Sequence, residues 1–245
     1  DSLVGSEMCI RDRLNTSKFY GWKHLVYFPD VGSNVEIVAD LIHKLTGKSF
    51  NPKEQNVIKD REIRNSLDWI FQHFHILTKK DVKAKMTPFQ FYDYAVELKQ
   101  KSGLQTASID SWKDLSHPYH EFGGYAQYLE VVLPYRNQIA EDNELHLHTI
   151  IHPKLTEKIN GKRSVPSPYD LKGGSEWFNS GKCMITVHRE DLNYNQAIIN
   201  FNKIKPRSAG QIGQLILWFD KEKFLYYEQE NPAPNVYNKI YAKEK

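Results

Sequence analysis

Seven polar residues fall where apolar runs of this chain stop. Asp30 follows "HLVYFP", Asp110 ends "LQTASID", His152 follows "LHLHTII", and Arg189 ends "CMITVHR". A basic set, Lys203, Lys205 and Arg207, closes the run "QAIINFNKIKPR". In open α/β sheets, ligands sit outside the carboxyl ends of the strands, so strand-end polar residues are the ones with access to a substrate. Two carboxylates, a polar group after a third strand and a cluster of cations suit hydrolysis of a nucleoside triphosphate. One acid orients water, the other holds Mg²⁺, and the third group senses the γ-phosphate. His146 and His148 share a strand face with His152 by period-two alternation, and His117 and His120 lie in a nearby loop. A metal-dependent phosphoesterase could use such histidines, but no carboxylate falls at ligand spacing with them.

The elements that must carry these residues alternate short apolar runs with longer amphipathic ones, which predicts an α/β domain. "HLVYFP" (24–29) reads as a strand. "SNVEIVADLIHKLTGK" (33–48) reads as a helix capped by Ser33 or Asn34 and closed by Gly47. A second helix is predicted over "NPKEQNVIKDREIRNSLDWIFQHF", with Asn51 as cap and Pro52 in its first turn. "HILT" (75–78) is a short strand. Thr87 and Pro88 open a helix that ends at Gly103 and leads into strand 104–110. A helix around 125–142 is expected to kink or break at Pro134. Strand 145–151, a polar loop over 154–170, a short helix near Asp170 and strand 183–189 follow. The runs 196–205, 214–220 and "KFLYYE" read as adjacent antiparallel strands. The aromatic run "FQFYDYAVEL" has helical spacing and reads as core.

The chain has 245 residues, enough for one sizeable core, and its 33 basic against 30 acidic side chains give a formal charge of +3. That balance permits a nucleic-acid partner without demanding one. Its two cysteines, Cys9 and Cys183, offer no cysteine-based zinc site and no disulfide framework, which fits a reducing cytosol. No apolar run approaches the roughly 18–20 residues needed to cross a bilayer.

Taken together, "WKHLVYFPD", "ASIDSWKDL", "HLHTIIHPKL", "PYDLKGGSEWFNSGKCMITVHRE" and "NFNKIKPRSAGQIGQLILWFD" resemble the RecA-type motor domain of DnaB-like replicative helicases. The likeness is greatest to phage proteins of the Twinkle and primase–helicase kind, and it runs from about Tyr20 to Glu228. It implies a RecA-like α/β core over 14–228, with a mostly parallel sheet flanked by helices and antiparallel strands at the C-terminal end. A polar tail follows over 229–245.

The resemblance also assigns roles. Asp30 stands where the family has a catalytic glutamate, and Asp110 at the Walker B aspartate that holds Mg²⁺. His152 takes the γ-phosphate sensor position. Lys205 aligns with the arginine finger that reaches ATP on the adjacent subunit, with Arg207 two residues on, and either could fill that role. Arg189 and Lys203 join Asp110 in binding nucleotide. Lys154, Lys158, Lys162, Arg163 and Lys172 match a loop that follows single-stranded DNA. The implied protein uses ATP and Mg²⁺, forms a hexameric ring and works in the cytoplasm of a bacterial host. A RecA-like recombinase or another DNA-dependent ATPase is the alternative enzyme, and a non-catalytic single-strand-binding module the alternative outside enzymes.

The first thirteen residues fit none of these patterns. Leu3 to Asp12 back-translate to CTC GTG GGC TCG GAG ATG TGT ATA AGA GAC, which resembles a sequencing-library transposase adaptor. Residues 1–13 are therefore expected to be a disordered artefact that replaces part of the natural protein. In the family, a strand, a P-loop and a helix precede "GWKHLVYFP". Nothing over 14–245 has the pattern G-x-x-x-x-G-K-[ST]: "TGKS" (46–49) has Ile42 where the first Gly is needed, and "KGGSE" (172–176) lacks the Lys.

Overall fold

A computed structural model describes residues 2–29, 32–78, 86–154, 158–159, 162–189, 195–220 and 225–228. Helix α1 (Ser2–Tyr20) leads to strand β1 (His24–Tyr27), followed by α2 (Asn34–Thr46), α3 (Asp60–His73) and β2 (Phe74–Leu77). Then come α4 (Pro88–Ser102), β3 (Thr106–Asp110), α5 (Tyr125–Asp142) and β4 (His146–Ile150). A small hairpin, β5 (Lys158–Ile159) and β6 (Lys162–Arg163), precedes α6 (Gly174–Ser180). The chain closes with β7 (Cys183–His188), β8 (Gln196–Ile204), β9 (Gly213–Asp220) and β10 (Leu225–Tyr227).

Strands β2-β1-β3-β4 form a parallel sheet in that order, and β10-β9-β8-β7 form an antiparallel one. The mostly parallel core with antiparallel C-terminal strands is thus present, divided into two sheets of four.

Alternation along β1 explains the layers. Leu25 and Tyr27 join Phe91, Tyr92, Ala95, Leu129 and Val132 of α4 and α5. Val26 and the next residue, Phe28, join Ile37, Leu41 and Ile70 of α2 and α3 on the other face. Each such buried side chain contributes about 1.5–3 kcal/mol, which fixes the sheet between two helical layers. The aromatic run on α4 is core, as its spacing indicates: Phe91 and Tyr92 are buried.

Local signals set several boundaries. Ser33 and Glu36 make a reciprocal capping box at the start of α2, and Gly47 ends it at φ 67°. Thr87 and Gln90 do the same for α4, with Pro88 in the first turn and Gly103 at φ 72°.

Three expectations need correction. The helix predicted from Asn51 starts only at Asp60. Ser49 instead exchanges backbone bonds with Asn56 and Ile58, both 2.9 Å, and the Asn51 side chain accepts from Lys53 N at 3.1 Å. The apolar contact of buried Ile58 holds that turn. Pro134 does not break α5, which runs on to Asp142. Pro134 and Glu130 are exposed, so the carbonyl freed by proline faces water while Val132 and Leu133 stay buried. Residues 2–13, expected to be disordered, lie in α1, because Ile10 and Leu14 sit one helical turn apart and bury against β1 and α2. The tail 229–245 lies outside the described residues. No described helix is long and apolar enough to cross a membrane.

Candidate nucleotide and nucleic-acid site

Asp110 is the last residue of β3, the strand between β1 and β4, and is 1 % exposed. Its Cα partner on β4 is Ile150, so His152, two residues past that partner, leaves the same sheet edge one strand over. The peptide that follows Asp110 is cis, and the next residue, Ser111, donates to Asp114 Oδ2 from its hydroxyl at 2.8 Å. His152 is half-buried, and its Nε2 is enclosed with no hydrogen-bond partner among the described residues. Cys9 of α1 lies close enough to feel the Asp110 charge, although burial is the larger cause of its raised thiol pKa. Asp30 lies outside the described residues.

The other candidates divide into two groups at opposite ends of β7. Arg189 directly follows that strand, is 8 % exposed, and stacks its guanidinium over Phe219 at 5.5 Å. Lys203 pairs with Met184 near the strand's start. Its Nζ donates to the carbonyls of Phe178 and, at 3.1 Å, Asn179, and lies 4.9 Å from the Phe178 ring centre. Burial first, then Lys205 and Lys182, pull its pKa down. Its ammonium thus caps the last turn of α6, where a cation also meets the negative end of the helix dipole. Lys205 and Arg207 lie just beyond, and every residue from Lys205 to Ile216 is exposed. The Lys205–Pro206 peptide is cis, and Arg207 opens a short 3₁₀ turn through Ala209. The sequence places Arg189 and this basic cluster together; the register separates them by the length of β7.

Two short strands are described within the polar loop. Lys158 pairs with Arg163, and Ile159 with Lys162, in the β5–β6 hairpin. The intervening Asn160–Gly161 is the sequence signal that could have found it, since Asn-Gly is the preferred two-residue hairpin turn. The feet of the loop are tied where Lys154 N donates to Asp170 O at 2.9 Å. Lys172 is exposed, yet its Nζ lies over two rings, 4.4 Å from Tyr125 and 5.5 Å from Tyr119.

Sequence reasoning missed the aromatic frame behind this loop. Trp112 meets Trp177 edge to face at 5.0 Å, and His117 stacks on Tyr119 at 5.4 Å. His117 Nε2 lies 2.7 Å from Trp112 O and Nδ1 3.1 Å from the Tyr128 hydroxyl, while burial lowers its pKa. These contacts fit a neutral ring that donates from Nε2 and accepts from Tyr128. His146 begins β4 opposite Thr106, at the far end of the strand pair from Asp110, and His148 pairs with Ser108 midway along it, with Trp22 stacked on His146 at 5.4 Å. Among the described residues, no three His, Cys, Asp or Glu side chains come together as a metal group.

No family model and no curated protein matches the chain. Solved structures do. The chain is similar to the ATPase domain of the G40 protein, with a TM-score of 0.68 and 13% identity, over 91% of this chain and 80% of that one. It is also similar to a DnaB-like replicative helicase whose structure addresses its interactions with primase, with a TM-score of 0.64 and 14% identity. That match covers 90% of this chain, which spans about half, 55%, of the helicase. The chain has the RecA-like α/β fold of the ATPase domains of DnaB-like replicative helicases.

Proposed function

We propose that the chain is the motor portion of an NTP-dependent replicative helicase that moves along single-stranded DNA as a ring of identical subunits. The observation that carries this reading is that Asp110 and His152 leave the same sheet edge on neighbouring strands, the first an enclosed carboxylate, the second a ring whose enclosed Nε2 has no hydrogen-bond partner among the described residues. Enclosed polar atoms cost free energy unless satisfied, so Nε2 calls for a ligand oxygen or water. The donors fit a magnesium nucleotide in part: Asp110 would order the waters of Mg²⁺, and His152 would meet a phosphate oxygen. When bound, that nucleotide supplies the phosphoryl group whose transfer to water drives movement. Asp30 is proposed as the acid that orients the attacking water, and Arg189 as a further nucleotide contact.

Lys205 and Arg207 cannot serve Arg189's end of the sheet. Cys183 pairs with Ile204 and His188 with Ile198, so five residue steps, about 17 Å, separate the two ends. Two cations on an exposed projecting turn suit delivery to a neighbouring subunit instead. On the DNA side, Lys154, Lys158, Lys162, Arg163 and Lys172 are proposed to follow the phosphates of a single strand, a contact that needs cations and no sequence readout. The Lys172 ammonium already rests on two tyrosine rings.

The test is a chimera that carries the strand, G-x-x-x-x-G-K-[ST] loop and helix of a DnaB-like helicase ahead of Gly21. Among the described residues β4 and β7 are each paired along one edge alone, so an added strand has a place to join. The chimera is expected to hydrolyse ATP, and its Asp110→Asn form to fall to background because an amide orders Mg²⁺ waters poorly. Equal turnover by the Asn form would remove Asp110 from the reaction. A chimera that folds and binds single strands without turnover would favour the non-catalytic binding module.

A further inference from the structure

The foot of the basic hairpin loop presents an aromatic ring to solvent on an unusually well-held backbone. Tyr169 is 63 % exposed, in the short 3₁₀ turn Pro168–Asp170. Ser167 closes that turn by donating to Asp170 Oδ2 from its amide at 2.6 Å and its hydroxyl at 2.9 Å. Those bonds occupy the one carboxylate beside the ring in sequence. The Lys154 amide binds Asp170 O from the other foot of the loop. Gly174 packs so closely that a Cβ there would lie 2.6 Å from Pro168 O and 2.7 Å from Tyr169 Cα. Four separate constraints therefore fix Tyr169, although its side chain buries little.

The ring is also braced from behind. Phe178 of α6 lies 5.3 Å away, centre to centre, and Lys203 sits over the Phe178 ring. A lone exposed tyrosine needs no explanation. One braced on an aromatic–cation stack, between Lys154 and Lys172 of a basic loop, has the composition of a base-stacking platform. Every base offers a π face, and such platforms combine aromatic rings with cations that track the backbone.

We propose that Tyr169 stacks a base of single-stranded nucleic acid, alongside phosphate contacts made by the β5–β6 loop. The inference rests on the proposed single-strand reading and adds a base contact to it. Stacking makes no sequence choice, so the site tolerates any base and requires only that one be present.

The experiment measures binding of the full chain to a fluorescein-labelled oligothymidylate and to the same backbone made abasic, across a salt series. Tyr169→Ala and Tyr169→Leu are expected to weaken oligothymidylate binding about five- to a hundred-fold. Tyr169→Trp keeps it, and none of the three changes abasic binding or the salt slope. Leu preserves an apolar contact with Phe178, so it separates loss of stacking from loss of packing. Lys154→Ala, which removes a phosphate contact, instead lowers the salt slope by about 0.7 and affects both strands alike. Unchanged oligothymidylate binding by Tyr169→Leu overturns the stacking role while leaving the phosphate reading intact. Absence of binding to either strand by the unaltered chain overturns both.

Discussion

His24 shows how a single buried side chain can tie the stability of this fold to pH. It begins β1 fully buried, with Nδ1 2.7 Å from Thr106 Oγ1 and Nε2 3.3 Å from Thr16 Oγ1. Burial foremost, with the Arg13 guanidinium adding to it, pulls its pKa down to about 3. His148, two residues along β4 from His146, is held well below the ordinary value by burial, Arg13 and the neighbouring histidines. In the unfolded chain both titrate near about 6.5. Between the two values the unfolded state binds more protons, so the contribution is complete above pH 6.5 and is lost as pH falls toward 3. At pH 5 His24 alone should cost about 2 kcal/mol relative to pH 7.5, from about 1.4 kcal/mol per pH unit. Thermal melts of the unaltered chain, His24→Gln and His148→Gln over that range check it. A destabilisation on acidification as steep in both variants as in the original would assign the effect to other groups.

At the level of elements, what the sequence reveals depends on whether the signal is local. Ser33, Gly47, Thr87, Pro88 and Gly103 each act within a turn of their own position, and α2 and α4 begin and end where those residues place them. The strand ending at Asp110 was legible for a related reason, since a continuous apolar run marks a buried parallel strand, whereas β7, before Arg189, is a part-exposed antiparallel edge strand. The turn over Asn51–Val57 was not, because it depends on Ser49 pairing with Asn56 and Ile58. Nor was the capping role of Lys203, which needs α6 and β8 side by side. Pro134 is the clearest case of tertiary packing overriding propensity. Its ring sits on the exposed face of α5 while Tyr128, Leu129, Val132 and Leu133 anchor the buried face. Proline in an exposed helix interior costs roughly 3 kcal/mol against alanine, and a site adapted to it recovers part of that. Pro134→Ala is therefore expected to stabilise the chain by about 1–3 kcal/mol, read as a higher urea midpoint at unchanged slope. A lower midpoint would mean that the proline ring makes a contact worth more than the missing backbone bond.

For the whole molecule, the proposed function raises the question of how Lys205 and Arg207 would act on a nucleotide held with Arg189 at the other end of β7–β8. The register keeps Lys205 and Arg207 about 17 Å from the Arg189 end, and the turn that carries them is exposed throughout. Under the proposed ring, each subunit therefore completes its neighbour's site. Of the two cations, Arg207 carries the planar guanidinium that clamps transferring phosphoryl oxygens in two places, whereas Lys205 offers a point charge. A trans arginine is worth about 10³–10⁵ in rate in comparable NTPases. In the ATP-hydrolysing chimera, Arg207→Ala should consequently lower turnover more than Lys205→Ala, with single-strand binding retained in both. Mixing supplies the sharper test. Arg207→Ala subunits keep Asp110, and Asp110→Asn subunits keep Arg207, so some interfaces in a mixed ring hold one intact copy of each. Two preparations that are inactive alone should regain turnover together, whereas a finger acting within its own chain would leave the mixture inactive. Restoration with Lys205→Ala as the dead partner, beside a fully active Arg207→Ala, would instead give the role to the lysine.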